Sequence, residues 1–298
     1  MPDVPARPGF LSRPPELSGS ALYRAFRPTL AYWMETEVHV YAFSIAVNVL
    51  LSIFPFLIVI LSLSRAVLGW NGAAAAVGIV LNDYFPGDPS DHATMAGFIS
   101  DNLRWALGSR HTLQIVSILL LLFTANGIFE PLEVAFNRAW GAAKNRTFVK
   151  NQLVSLGLIL VCGSLALAST ALTGVNAERL GESSLLSRAI EVAVFKMAAV
   201  PVSILILFLI YWLLPNRKIA WRDVLPSAIL VGLGLEVLKY INLLTFPLWY
   251  RKLHAEYGPF TYSVTIVMWS FLGAMLILAG AEWAARRAAA TGTEAVTG

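Results

Sequence analysis

The stretch VYAFSIAVNVLLSIFPFLIVILSL (Val40–Leu63) is predominantly apolar and contains no charged residue. A helix needs about 20 predominantly apolar residues to cross the hydrocarbon core of a bilayer, and this stretch is long enough to do so. A single run of this kind could also lie in the core of a large soluble protein. The choice between these two interpretations therefore depends on the rest of the chain.

Five more apolar runs follow, two of which carry charges inside. The whole chain is 57% hydrophobic and only 13% charged, whereas soluble domains have about 25% charged residues. One soluble core could explain one apolar run, but not six. We therefore predict an all-α fold, a polytopic membrane bundle of six transmembrane helices at about residues 40–63, 112–138, 153–172, 189–214, 224–248 and 260–282.

Outside the spans, the sequence predicts a single membrane domain, 29–287, between two short cytoplasmic tails. Residues 1–28 are rich in proline and arginine and lack an apolar leader segment, so we expect a disordered tail there. Residues 288–298 form the second tail. The loop between the first two spans contains Asp91–Leu107, whose apolar residues recur at helical spacing. This spacing predicts an amphipathic helix on the outer membrane surface.

The basic residues indicate the orientation of the chain. Most of the 22 Lys and Arg residues precede the first span or follow the second, fourth and sixth spans. The positive-inside rule places these segments, and with them both termini, in the cytoplasm. Because the basic residues sit in short loops at the membrane, the net charge of +4 does not indicate nucleic-acid binding. Arg217, Lys218 and Arg222 are candidates to bind anionic lipid headgroups.

Two charged residues lie near the middle of the fifth span, Glu236 and Lys239. A charge in hydrocarbon costs at least a few kcal/mol, so such residues usually face the interior of a bundle or a water-filled cavity. Their spacing of three residues places them on one helix face, where they can form an ion pair. The sequence leaves open whether they are a substrate or proton site or a structural ion pair.

A polar stripe runs along the second span, where Asn126, Glu130, Glu133 and Asn137 recur at intervals of four, three and four residues. If the stripe lines a cavity, Asn126 and Glu130 are its candidate members. Glu133 is instead expected to be solvated among the cytoplasmic headgroups, as is Arg138. Asn48, on the first span, either lines the same pathway or ties helices together by hydrogen bonding.

The sequence lacks the motifs of common enzyme classes, with no Walker-type loop, no H-E-x-x-H and no G-x-S-x-G. The only cysteine, Cys162, lies inside an apolar run, which excludes an internal disulfide and disfavours a thiolate metal site. We therefore predict a protein that is not an enzyme and has no catalytic residue, no metal site and no cofactor.

Three stretches carry a family resemblance: FSIAVNVLLSIFPFLIVILSL (Phe43–Leu63), YWLLPNRKIAWRDVLPSAILVGLGLEVLKY (Tyr211–Tyr240) and YGPFTYSVTIVMWSFLGAMLILAGAE (Tyr257–Glu282). Together they resemble the YihY/BrkB family of bacterial inner-membrane proteins. The Leu-Pro-Asn-Arg loop followed by Trp-Arg-Asp is the most specific part, and Ser227 departs from the family pattern, which has glycine there. The resemblance implies a six-helix inner-membrane protein without an established enzymatic role. Members have carried the label ribonuclease BN, which this sequence does not support.

These features favour a transporter-like or flippase-like protein that handles an envelope lipid or an amphipathic solute. The alternative is a non-transporting membrane scaffold for envelope assembly, which would bind envelope proteins or associate with itself. A ribonuclease is a remote alternative. Membrane lipids are the expected partners, and nucleic acid is not expected. A polar cavity that contains Glu236, Lys239 and Glu130 would favour the transporter over the scaffold.

Overall fold

The structure, a computed structural model, describes residues 21–68, 111–142, 147, 150, 153–159, 161–165 and 200–291. Every regular element within these residues is a helix. In chain order they are α1 (Ala21–Trp33), α2 (Thr36–Leu68), α3 (His111–Ala139), α4 (Leu153–Leu165, described except at position 160), α5 (Val200–Leu213), α6 (Trp221–Tyr257), a 3-10 turn (Gly258–Phe260) and α7 (Thr261–Thr291). The predicted amphipathic helix, Asp91–Leu107, lies outside the described residues, as do parts of the third and fourth predicted spans.

Three of the described helices are long and apolar enough to cross a membrane. They comprise Glu37–Val59 within α2, the whole of α6, and Thr261–Ala290 within α7. Large apolar side chains are exposed on the outer faces of these helices, among them Phe43 and Leu233. Contiguous exposed apolar faces are rare in water, but a bilayer requires them. The fold is therefore that of a helical membrane protein.

Helix α7 contacts α1, α2, α3 and α6, so it lies at the centre of the described bundle. Helix α5 joins this core through Tyr211, whose ring centroid lies 5.3 Å from that of Phe136 on α3. The Tyr211 hydroxyl donates a hydrogen bond to the carbonyl oxygen of Ile277 on α7, at 2.8 Å. This approach requires Gly280, because a Cβ atom at that position would collide with the Tyr211 hydroxyl.

Helix α1 corrects one prediction, since residues 21–28 are helical although they fall in the predicted tail 1–28. The helix packs on α7, where the Trp33 indole N–H donates to the carbonyl oxygen of Met275 at 3.2 Å. The Arg286 guanidinium donates to the Thr29 hydroxyl at 3.0 Å. These contacts with a distant part of the chain hold α1 against the rest of the bundle.

Helix α6 is longer than predicted. The expected outer loop, Trp249–Pro259, is helical as far as Tyr257. The helix ends at Gly258, whose φ of +52° is a conformation that glycine adopts readily, and Pro259 follows directly. At about 1.5 Å per residue, α6 is roughly 55 Å long, whereas the hydrocarbon core is about 30 Å thick. The two ends of α6 therefore cannot lie within the core at the same time, so at least one end extends into or beyond a headgroup region.

Candidate functional site

The charged residues of α6 form the ion pair that their spacing predicts. The Lys239 ammonium contacts the Glu236 carboxylate, and the two side chains are only 19% and 15% exposed. The ammonium also lies 5.4 Å from the centroid of the Tyr240 ring, within the range of a cation–π interaction. Because water is largely excluded from both groups, each charge depends on the other for compensation.

The pair lies beside the crossing of α6 and α7. Leu276 of α7 packs against Gly234, and Leu235 of α6 reaches the position of Gly273. Asn242, which is buried three residues after Lys239, lies about 60° from Lys239 and about 120° from Glu236 around the helix axis. The pair and this amide form a polar strip along α6 over about 9 Å, given the helical rise of about 1.5 Å per residue.

Asn48 lies where α2 crosses α3. Its side-chain amide occupies the space beside Gly127 that a Cβ atom would need. The amide nitrogen donates to the Ser44 carbonyl oxygen at 2.9 Å, within its own helix. Asn48 therefore packs between α2 and α3, while this hydrogen bond stays within α2. Asn126 precedes Gly127 on α3, but its side chain lies outside the described residues.

Within the polar stripe of α3, the residue that was expected to be solvated is the buried one. Glu130 is exposed, whereas Glu133 is only 2% exposed, so the expectation that Glu133 is solvated was wrong. The buried Asn137 amide nitrogen lies 3.4 Å from Glu133 Oε1, and Asn137 Oδ1 accepts a 2.6 Å hydrogen bond from the backbone N–H of Asn216. Contact with the segment that follows α5 therefore encloses this end of α3.

The three predicted headgroup ligands separate into two groups. Arg217 is half-buried and donates from Nη1 to the carbonyl oxygen of Trp140 at 2.5 Å, so it links the α5–α6 loop to the end of α3. Lys218 and Arg222 are exposed. The Arg222 guanidinium lies 5.3 Å from the centroid of the Trp221 ring, which is itself 50% exposed.

A further ionic contact between α2 and α3 was not predicted. Arg138 pairs with Glu37 and lies 3.9 Å from Glu35 Oε2, and the Arg138 and Glu37 side chains are 49% and 58% exposed. Tyr32 lies nearby, and burial, reinforced by the carboxylates of Glu35 and Glu282, raises the pKa of its hydroxyl. These residues come from separate helices at no fixed spacing, so no periodic pattern identifies the cluster.

The candidates thus fall on two parts of the bundle, with Asn48 and Glu130 on α2 and α3 and the Glu236–Lys239 pair on α6. Among the residues that the structure describes, no group of three or more His, Cys, Asp and Glu side chains could hold a metal ion. The described positions offer paired charges and amides, which can bind a polar group or exchange a proton at a carboxylate.

Comparison with known proteins identifies relatives. The model of the family described as "Virulence factor BrkB" matches residues 29–297. A UPF0761 membrane protein of Chromohalobacter salexigens is 25% identical over 248 residues, which cover 82% of this chain and 58% of the relative. A UPF0761 membrane protein of Chlorobium luteolum is 26% identical over 275 residues, covering 88% and 60%, respectively. A Bacillus subtilis protein named "Putative ribonuclease-like protein YfkH" is 25% identical over 244 residues, which cover 78% of this chain and 84% of the relative.

The chain spans 58% and 60% of the lengths of the first two of these relatives. No solved structure matches the chain.

Proposed function

The chain belongs to the BrkB family of membrane proteins, and we propose that it is a transporter-like or flippase-like protein for an envelope lipid or another amphipathic solute. The observation that carries this proposal is the largely buried Glu236–Lys239 ion pair, which lies on α6, a helix long enough to cross the membrane. Ionisable residues in membrane helices are costly to maintain, and they commonly mark substrate or proton pathways.

The topology that accompanies this proposal is a multi-pass protein of the bacterial inner membrane, with six spans and both termini in the cytoplasm. Helices α2, α6 and α7 supply the first, fifth and sixth spans, and α3 follows the second predicted span to within one residue at each end. The basic residues of the inner loops support the orientation. Under this topology, Arg222 lies at the cytoplasmic end of α6.

The depth of the pair supports a role inside the bilayer. Glu236 lies 14 positions after Arg222, which corresponds to about 21 Å along the helix. Half of the hydrocarbon core is about 15 Å thick, so a helix that enters the membrane near Arg222 carries Glu236 close to or beyond the midplane. Lys239, three residues further on, lies about 26 Å from Arg222 along the helix and therefore nearer the far side of the core, and its contact with Glu236 compensates both charges within the protein.

The position of the pair around α6 supports an amphipathic substrate. At about 100° per residue, Glu236 lies roughly 60° around the helix from Leu233 and 40° from Tyr240. Both of these neighbours are exposed, in line with the lipid-facing surface of the helix. The polar strip therefore borders the lipid surface. A molecule with a polar head and an apolar tail can contact both surfaces at once.

The test is lipid scrambling by the purified full chain in liposomes that contain fluorescent phosphatidylethanolamine or phosphatidylglycerol. The variant Glu236→Gln with Lys239→Met removes both charges and leaves no lone ion. The matched control, Glu37→Gln with Arg138→Gln, removes the half-exposed pair between α2 and α3. We expect the scrambling rate of the first variant to fall at least tenfold, which corresponds to an activation barrier higher by about 1.4 kcal/mol. The control should scramble lipid at a near-normal rate.

Equal rates for the wild type and the Glu236/Lys239 variant would refute the role of the pair. Two results together would instead favour the scaffold. The wild type would move neither lipid in liposomes, and the Glu236/Lys239 variant would fully replace the deleted gene in cells.

A further inference from the structure

The first turn of α6 combines exposed cationic and aromatic side chains. Arg222 lies over the exposed Trp221 ring, and Lys218 is exposed on the loop that precedes the helix. Trp212, exposed on α5, donates its indole N–H to the carbonyl oxygen of Ile219 at 3.1 Å and so fixes this loop beside the end of α5. Tryptophan at such positions is typical of the membrane–water interface.

The same side of α6 continues along the helix as an exposed apolar strip. At about 100° per residue, Ile229, Leu233 and Tyr240 fall within about 20° of Arg222 around the helix axis. All three side chains are exposed. The distance from Arg222 to Leu233 along the axis is about 16 Å, close to half of the hydrocarbon thickness of about 30 Å. The strip therefore has the length of one leaflet.

We infer that this surface binds an anionic phospholipid of the inner leaflet. Arg222 and Lys218 hold the phosphate, Trp221 packs at the level of the glycerol backbone, and an acyl chain lies along Ile229 and Leu233. The occupant is chosen because an anionic headgroup complements the two cations and because the apolar strip continues from them along the same helix. A soluble anion would use the two cations but not the strip, and an apolar helix would use the strip but leave the cations uncompensated.

The surroundings of the cations separate this site from a general excess of basic residues. Arg217, one residue before Lys218, donates to the Trp140 carbonyl oxygen and serves the protein's own packing. Asp223 follows Arg222 but lies about 100° further around the helix, on the side away from Ile229. Arg222 therefore lies on the side of α6 that carries Ile229, and Lys218 is exposed in the loop three residues before the helix begins.

The other end of α6 provides a matched control on the same helix. Arg251 and Lys252 are both exposed, and the exposed Trp249 lies close by in the sequence. This end carries the same number of exposed basic residues, and Tyr250 stacks on His254 with a centroid distance of 5.5 Å. Under the proposed topology this end faces the outer leaflet.

The experiment places the full chain in nanodiscs of equimolar phosphatidylglycerol and phosphatidylcholine and counts the lipids that stay bound during native mass spectrometry. We expect the wild type to retain phosphatidylglycerol preferentially. Lys218→Gln with Arg222→Gln should reduce this preference by roughly fivefold for each charge removed, the effect expected for a basic residue at an anionic membrane surface. Arg251→Gln with Lys252→Gln should cause a smaller loss, because it leaves the surface formed by Arg222 and Trp221 intact.

Two outcomes would overturn the inference: an unchanged preference in the Lys218/Arg222 variant, or an equal loss in the Arg251/Lys252 variant. Trp221→Leu supplies a second test if the double variant fails to fold, because it removes the aromatic platform without changing the charge. A reduced preference in Trp221→Leu supports the site, and an unchanged preference contradicts it. The measurement requires no turnover, so its result is separate from that of the scrambling assay.

Discussion

Two ionic contacts in this molecule differ in their access to water. The Glu236–Lys239 pair is formed within one helix and is largely enclosed, whereas the Arg138–Glu37 pair joins two helices and has both side chains about half exposed. An exposed pair gains little, because water or lipid headgroups can replace either partner. An enclosed pair has much less access to such substitutes. Burial, rather than the presence of opposite charges, therefore decides how much each pair matters.

The comparison is tested most strongly by removing one member of the enclosed pair. Glu236→Gln should lower the free energy of unfolding by about 3 kcal/mol, because Lys239 loses the carboxylate that it contacts. The double variant, Glu236→Gln with Lys239→Met, should restore stability to within about 1 kcal/mol of the wild type, since no lone charge remains. Unfolding in mixed micelles, followed by circular dichroism, measures both. Equal losses in the single and double variants would contradict the prediction.

A hydrogen bond enclosed at the end of α3 should give an intermediate effect. Asn137→Ala removes the acceptor of the Asn216 backbone N–H and the amide beside Glu133, and we expect a loss of about 1–3 kcal/mol. Asn216→Ala is the matched control, because its backbone N–H remains and can still donate to Asn137. The same unfolding assay compares the two variants, and a greater loss in Asn216→Ala would exclude this interpretation.

The smallest effect is expected at the exposed pair. Arg138→Gln removes the partner of Glu37 and Glu35, yet the loss of stability should stay below about 1 kcal/mol. The difference from the wild type should shrink further as salt rises, because added ions screen exposed charges. Thermal unfolding at low and high salt measures the change. A loss as large as that of Glu236→Gln would remove the distinction between the two pairs.

The long helices could be predicted from the sequence because their determinant is local. Apolar runs located α2 and α7, and the predicted second span, 112–138, matches α3 to within one residue at each end although its second half contains polar residues. The α1 helix was missed for the opposite reason. Its contacts, such as the hydrogen bond from Trp33 to Met275, join residues 242 positions apart. A composition rich in proline and arginine gives no sign of such a partner.

The most specific part of the family resemblance also has a structural explanation. In the Leu-Pro-Asn-Arg loop, Leu214 and Pro215 are buried, and Asn216 and Arg217 both bond to the end of α3. Each residue of the motif thus takes part in joining the α5–α6 loop to its neighbours. The resemblance to the YihY/BrkB family, confirmed by the family match, depended on residues whose role is visible only in the folded chain.

The candidate site divides in the same way. The spacing of Glu236 and Lys239 was sufficient to predict their pairing, because neighbours three residues apart on a helix meet in any fold. Residue spacing led to a wrong prediction for Glu133, which was expected to be solvated among the headgroups and is buried. Its burial requires the segment after α5, which lies far along the chain. Residue spacing likewise could not distinguish Arg217, which donates a hydrogen bond to the Trp140 carbonyl oxygen, from the exposed Arg222.

The sequence by itself determined that this is a helical membrane protein and which of its helices carry charges, because hydropathy and helical period are properties of a single segment. The tertiary structure decided which polar groups are enclosed and which remain exposed. Enclosure is set by contacts between segments that are distant along the chain. These contacts bury Glu133 and half-bury Arg217, whereas Lys218 and Arg222 remain exposed.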